Sequence, residues 1–364
     1  MGRTVKNMYR VFLADNIFSG HHKIYLDTLL AIDSTVDCSV EMEFHQNKFR
    51  PKYHLDRNRF IREVISLIDR QNCVECKILH LLYIDNLYTT PLFPNLTQKY
   101  KVIGTLHHYP QNEFKMSLLK IFSRKVNKIV VHSEYIKHKL LENNIKNVEV
   151  VHYPSFYDYS KLPDKKLIKE NLGLPEDKVI FSALGGTRYD KGLDILLESF
   201  KYIPNDLKSK VILNIVGREE TFNKKFIDEK IQKYGINARV KLGFVSDEEF
   251  MSNVLISNYV VLPYRKIFTG NSGPMTEAIR NIIPILGPNY GNIGFLIENY
   301  NLGYTFTPEN PLSIAKAIVN SIENKKSIKS NYSEDISIDK FKSSYKNLYN
   351  ELSLCGIMSR KRTR

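Results

Sequence analysis

No stretch of this sequence approaches the roughly 18 consecutive apolar residues that a membrane-spanning helix requires. Cysteine is scarce, with four in 364 residues. Residues Met1 to Arg10 also lack the apolar core of a secretory leader, so a reducing, cytoplasmic setting is expected rather than a disulfide framework. The dinucleotide signature G-x-G-x-x-G is missing, as are the Walker loop ending G-K-[ST] and any Asp-x-Asp. Cys73-x-x-Cys76 has no second pair, and with His80 it falls short of the four ligands of a structural zinc site, so coincidence is the expected reading. Asn95-Leu96-Thr97 matters as a glycosylation acceptor only in a secreted chain and carries no weight. There is no internal repeat and no low-complexity tract. Histidine is absent after His152, although the chain has ten.

What is present is globular. Hydrophobic residues make up 43% and charged residues 25%, ordinary proportions for a folded protein. At roughly 150 residues per domain, the length suggests two domains. The formal charge of +14 is spread over both halves, whereas a nucleic-acid domain usually concentrates it. An acidic small substrate or an anionic membrane surface stays open.

Short apolar runs alternate with helical patterns throughout. Tyr9–Ala14, Cys38–Phe44, Lys77–Leu82, Lys101–Leu106, Lys128–His132 and Val148–Val151 read as buried strands. Tyr25–Ile32, Arg57–Asp69, Phe114–Val126 and Glu134–Glu142 carry apolar residues at helical spacing. After the turn-rich segment Tyr153–Asp164 the rhythm restarts, with strands at Val179–Leu184, Val211–Val216, Arg239–Leu242, Tyr259–Leu262 and Ile283–Leu286. Helices are expected at Leu193–Phe200, Phe226–Tyr234, Asp247–Ser257, Pro274–Arg280 and Lys340–Leu354. This is βαβ rhythm in two Rossmann-like domains joined near residue 160, with a ligand expected in the cleft between them, at the carboxyl ends of strands.

Two segments carry the chemistry. In the first, Gly185-Gly186-Thr187-Arg188-Tyr189-Asp190-Lys191-Gly192 joins a strand to a helix. Glycines there let backbone N–H groups approach a phosphate, and two cations lie alongside. A plain strand–helix turn with solvated basic residues is the competing reading. In the second, Thr269-Gly270-Asn271-Ser272-Gly273-Pro274-Met275-Thr276-Glu277 leads into a helix, with Pro274 suited to its first turn. Glu277 offers a carboxylate to a ribose diol, or simply complements the helix dipole.

Taken in order, these segments join Leu213-Asn214-Ile215-Val216-Gly217, Val240-x-Leu242-Gly243-Phe244-Val245, Leu262-Pro263-Tyr264-Arg265 and Pro284. The set resembles the C-terminal half of glycosyltransferase family 4, clearly over about residues 178 to 325. Ser19-Gly20-His21-His22, Val102–His107 and Val130-Val131-His132-Ser133 extend the resemblance into the first half. It implies an α/β protein of GT-B architecture. Residues 1–160 would form the acceptor-side Rossmann-like domain and 161–335 the nucleotide-sugar domain. Residues 336–364 would supply a helix crossing back and a basic tail. It implies that Lys191 and Arg188 face the donor diphosphate and that His107 lies near the donor sugar. Gly20 and Gly186 would sit by the phosphates, and Glu277 would bind ribose. Ser272, Gly273, Pro274, Met275 and Thr276 would hold phosphate or sugar, with Gly217, Val245 and Thr269 completing the donor site.

Two departures accompany this. The family's E-x7-E pair has Thr269 at its first position, and the family arginine usually lies further ahead of the lysine than Arg188 does. The activity implied is retaining, metal-independent hexosyl transfer from a nucleotide-diphosphate sugar, UDP- or GDP-linked. The acceptor would be a glycan or lipid-linked hydroxyl, as in surface polysaccharide synthesis. No cofactor and no nucleic acid are implied. A sugar-nucleotide epimerase and a non-catalytic partner subunit are the alternatives. His21, His22, His107 and His108 follow strand ends and so hint at the acceptor side. Phe114, Leu118, Ile121, Phe122 and Val126, with Lys115, Lys120, Arg124 and Lys125, read either as a crossover helix packed on the sheet or as a helix touching anionic lipid at the inner face of a membrane. The tail Arg360–Arg364 invites the same pair of readings.

Overall fold

The protein is described by a computed structural model covering residues 9–17, 21–33, 35–37, 54–70, 76–90, 93–325, 328 and 330–361. The expected strand at Cys38–Phe44 lies outside these residues, as do Gly20, Cys73 and the last residues of the tail. Contacts divide the chain into two units, one formed by Met1–Tyr153 with Ile338–Arg364 and the other by Pro154–Ser337.

In the first unit, β1 (Tyr9–Ala14), β2 (Val36–Asp37), β3 (Cys76–Leu81), β4 (Lys101–Thr105), β5 (Lys128–Val131) and β6 (Val148–Val150) form one sheet. Its order is β2-β1-β3-β4-β5-β6, and every pairing is parallel. The connecting helices are α1 (His21–Leu30), α2 (His54–Arg70), α3 (Glu113–Ser123) and α4 (Glu134–Glu142). Asn112 and Ser133 cap α3 and α4 by accepting from the N–H three residues on.

The second unit carries β7 (Val179–Leu184), β8 (Val211–Gly217), β9 (Ala238–Leu242), β10 (Tyr259–Val261), β11 (Ile285–Pro288) and β12 (Gly303–Phe306). Their order is β12-β11-β10-β7-β8-β9, again parallel throughout. Around them lie α5 (Lys165–Asn171), α6 (Leu193–Ser199), α7 (Asn205–Lys208), α8 (Lys224–Tyr234), α9 (Asp247–Ile256), α10 (Gly273–Arg280), α11 (Gly291–Asn299), α12 (Pro311–Glu323) and α13 (Tyr332–Asp335). Strand β12 and helices α11 and α12 are absent from the sequence expectations. The strand is four residues long and opens on Gly303, whose missing Cβ lets it approach the Ile285 carbonyl. So short a run gives periodicity too little to register.

The last helix, α14 (Ile338–Lys361), belongs to the first unit and packs on β3 and α1. Buried polar groups dock it. His80 is hydrogen-bonded to the Tyr349 hydroxyl through Nδ1 and to Thr105 through Nε2, both at 2.8 Å. Tyr345 reaches Thr105 at 3.2 Å and Tyr25 at 2.5 Å. Burial pushes the His80 imidazole down to about 3, so it is neutral and fills both bonds without a charge in the core.

Helix α3 divides its apolar residues differently from the expected stripe. Its buried face is Met116, Leu119, Phe122 and Ser123, while Phe114 is 73% and Ile121 54% exposed. Among the described residues no helix is long and apolar enough to cross a membrane.

Candidate functional site

Each sheet reverses its strand order once, and ligands of doubly wound sheets bind at the carboxyl ends beside that reversal. In the second unit it falls between β7 and β10. The loop after β7 contains Gly185, Gly186, Thr187, the 3-10 turn Tyr189–Lys191 and Gly192. Two glycines there are sterically required. Gly217, at φ +154°, would put a Cβ 1.9 Å from the Gly185 carbonyl oxygen, and Gly192, at φ +65°, would put one 2.1 Å from that of Pro263. A Cβ at Gly185 would lie 3.8 Å from the Pro274 Cγ, ordinary van der Waals distance, so the two loops run side by side.

The two chemistry-bearing segments therefore meet. A small pocket there is lined by Gly185, Gly186, Thr187, Lys191, Pro263 and Tyr264, among others. Lys191 Nζ donates to the Tyr264 hydroxyl at 2.6 Å and lies 3.9 Å and 4.6 Å above the rings of Tyr264 and Phe268. Tyr264 Oη is in turn 2.9 Å from Ser272 Oγ, the N-cap of α10. Among the described residues no carboxylate lies within ion-pairing distance of the Lys191 ammonium, so its charge is held by neutral groups and is available to an anion.

Arg188 is differently placed. Its guanidinium is paired with Asp190 through two bonds of 2.9 and 2.8 Å and is about half exposed. The cation that organises this loop is Arg265, unassigned in the sequence reading. It is buried, forks onto Asp194 at 2.9 and 2.7 Å, donates to the Tyr189 carbonyl at 2.6 Å and stacks over the Tyr189 ring.

At the start of α10, most amide protons are already committed. Pro274 has none, Met275 N–H donates to Ser272 Oγ, and Thr276 N–H donates to the Ser272 carbonyl. Among the described residues no bond takes the Gly273 N–H, which is left for an anion together with the helix dipole. The side chains of Pro274, Met275 and Thr276 are buried, so any contact they make is through backbone. Thr269 is half-buried in the preceding loop, and Val245 packs against the apolar core beside α10.

Glu277 is 3% exposed. Its Oε2 accepts from Ser155 Oγ at 2.7 Å and from Tyr159 Oη at 3.0 Å, and its carboxyl also receives the Phe156 N–H. A carboxylate offers ~4 lone-pair sites, so these three donors leave capacity for one strong bond rather than the two expected of a ribose diol. Burial pushes the carboxyl up to about 7 against an ordinary 4.5, although the hydroxyl donors pull the other way. The folded state thus holds this proton more tightly than the unfolded chain. Stability from this group is fully present below pH 4.5 and is lost as pH rises through 7, by roughly 2–4 kcal/mol. Glu277→Gln should flatten that fall in urea midpoint between pH 5 and 7; an unchanged slope rules the assignment out.

The first unit presents a second row of strand ends. His107 is buried and stacked on Tyr83 with 3.8 Å between centroids, and Tyr83 is stacked on His22 at 3.6 Å. His107 Nε2 donates to the Leu82 carbonyl at 2.9 Å, which leaves Nδ1 as an acceptor. Burial holds its imidazole well below the usual range and hence neutral. His22 Nδ1 pairs with the buried Asp15 carboxylate at 2.8 Å. Asp85 accepts from the backbone N–H groups of both His107 and His108, while the His108 ring is largely exposed. Asp15, Tyr83 and Asp85 were not expected. Asp15 directly follows β1, and Tyr83 and Asp85 follow β3, and position after a strand is the signal that points to them. Cys76 is half-buried, and among the described residues no three His, Cys, Asp or Glu side chains converge as a metal site would need.

Two parallel doubly wound sheets, each with its own ligand edge, plus a terminal helix that returns to the first unit, define the GT-B architecture. Residues 164–336, nearly the whole second unit, match the model of the family described as Glycosyl transferases group 1. An uncharacterized glycosyltransferase of Methanocaldococcus jannaschii is 25% identical over 247 residues, covering 64% of this chain and 61% of that protein. The chain thus matches less than two thirds of this curated relative's length. Sucrose-phosphate synthase from Thermosynechococcus elongatus superposes with a TM-score of 0.69 at 15% identity, over 96% of this chain and 100% of the other. Anabaena HepE, solved in complex with UDP, gives 0.68 at 12%, over 94% and 99%. A glycosyltransferase from Rickettsia africae gives 0.66 at 17%, over 95% and 99%. The fold is thus GT-B, and the match to Glycosyl transferases group 1 falls in its second unit.

Proposed function

We propose that this chain moves a hexosyl group from a UDP- or GDP-sugar to a hydroxyl of a glycan or lipid-linked acceptor, with retention of configuration and without a bound metal. The observation that carries this reading is the hydrogen-bonded link from Lys191 through Tyr264 to Ser272. It brings one fixed cation and the start of α10 to the same strand ends. Anabaena HepE, similar in fold, has been solved with UDP-glucose.

In the proposed step the bond between the anomeric carbon and the phosphate oxygen breaks, and its electron pair leaves with the nucleoside diphosphate. Lys191, the Gly273 N–H and the α10 dipole meet that growing charge in a site where they need no reorganisation. The acceptor oxygen bonds the anomeric carbon on the same face, and its proton passes to the departing phosphate oxygen. Gly186 and Gly217 let backbone approach the phosphates, and Glu277 takes a ribose hydroxyl. His107 Nδ1 accepts from a sugar hydroxyl. Arg188 reaches phosphate only by giving up Asp190. UDP-, GDP-, ADP- and TDP-sugars, followed for nucleotide release and for the anomer formed, test the reading. Release from one donor with a retained anomer supports it. An epimerised donor, or binding without turnover, replaces it with one of the two alternatives.

We further propose that a lipid-linked acceptor is met at an anionic, cytoplasmic membrane face through α3. Phe114 and Ile121 are exposed seven residues apart, hence on one face, and Lys115, Lys120 and Arg124 form no ion pair within the described residues. Each such cation near an anionic surface contributes about 1 kcal/mol. The full chain should sediment with phosphatidylglycerol vesicles at low salt and release as salt rises. Replacing both Phe114 and Ile121 by Ser should weaken this at least about tenfold. Equal binding to phosphatidylcholine vesicles, or none at low salt, excludes the membrane role.

A further inference from the structure

Glu277 is the only carboxylate at the positions of the family's acidic pair, because Thr269 stands at the other. Its orientation therefore matters more here than where two carboxylates share the work. Ser155 and Tyr159, among the first residues of the second unit, both donate to the same oxygen, Oε2. Tyr159 remains a donor, since burial and the neighbouring Glu277 push its hydroxyl far up from the ordinary range. The segment that carries these hydroxyls is itself anchored. Ser155 N–H donates to the Ile336 carbonyl at 3.0 Å, and Tyr159 packs against the apolar cluster that includes Met275, Ala278, Tyr332 and Ile336.

We propose that Ser155 and Tyr159 are positioning residues for nucleotide recognition. By holding Oε2 they aim the last open lone pair of Glu277 at a single ribose hydroxyl. The inference rests on the reading that Glu277 meets ribose. It sharpens that reading in two ways: one hydroxyl rather than a diol is sensed, and sensing depends on side chains that never touch the ligand. A carboxylate without these donors has free rotation about its last torsions and loses the preorganisation that makes a charged hydrogen bond selective.

Calorimetric titration of the full chain with UDP or GDP, and with their 2′-deoxy and 3′-deoxy analogues, tests this. Wild type should bind the ribonucleotide roughly tenfold more tightly than one deoxy analogue and about equally to the other. Ser155→Ala and Tyr159→Phe should each reduce that preference to about twofold or less while leaving pyrophosphate affinity unchanged, since pyrophosphate lacks a ribose. Ser155→Thr, which keeps the hydroxyl, should restore it. In turnover, the two lesions should raise KM for donor and leave kcat near wild type. If the variants discriminate like wild type, the positioning role is overturned. If wild type itself shows no preference, or binds no nucleotide, the ribose role of Glu277 fails instead, and the positioning claim falls with it. A general loss of folding would weaken pyrophosphate binding as well and is thereby recognised.

Discussion

Lys191→Ala is expected to lower sugar transfer by about 10²–10³-fold, the magnitude seen when one preorganised donor to a developing negative charge is removed. Folding should be little affected. The ammonium bonds a neutral hydroxyl and lies over two rings, and Tyr264 keeps its bond to Ser272 when the lysine is shortened. Lys191→Met separates charge from packing, because it retains an apolar stem over Tyr264 and Phe268. Both variants should unfold within a few degrees of wild type and both should fail in turnover. Near wild-type nucleotide release from Lys191→Met would mean that the cation is not what stabilises the leaving group.

Arg265→Ala should act on stability first. The guanidinium is 8% exposed and satisfies Asp194 through two bonds and the Tyr189 carbonyl through a third. Removing it strands a partly buried carboxylate and a carbonyl. Asp194 keeps 28% of its side-chain surface in solvent, so the cost is placed at roughly 2–4 kcal/mol, below that of a fully buried pair. For a unit of this size that is a drop in Tm of roughly 5–15 °C. Arg265→Lys should not rescue it, since a point-like ammonium cannot reproduce the planar fork. Because the same contacts hold the turn bearing Lys191, nucleotide affinity should fall too, even well below the melting point. A variant with unchanged Tm would show that Arg265 is a bystander.

These two cations show how legibility divided. Lys191 stood out because it follows a strand and two glycines, a local pattern that backbone geometry makes meaningful. Arg265 follows a strand as well, but its partners Asp194 and Tyr189 are more than seventy residues away, and nothing local marks it. Arg188 reads as a second phosphate cation, and the structure adds that its fork is shared with Asp190, two residues on. Helix α3 teaches the same lesson. Its periodicity identified an amphipathic helix, but with two apolar strips available, only packing against the sheet selected Met116, Leu119 and Phe122 and left Phe114 and Ile121 in water.

The lack of a long apolar run agrees with helices that are all too short or too polar to cross a bilayer among the described residues. The halt of histidine at His152 coincides with the end of the first unit's leading segment at Tyr153. Several of these histidines, His22, His107 and His132 among them, cluster with tyrosines at its strand ends. By itself, the sequence determined the alternation of strands and helices, hence two parallel sheets, because buried strands and amphipathic helices write their periods locally. Only the tertiary structure decided that Glu277 is held by Ser155 and Tyr159, that Lys191 meets Tyr264, and that α14 returns to the first unit. Those are contacts between residues 73 to 269 positions apart, set by strand order and burial, and short-range pattern carries no record of either.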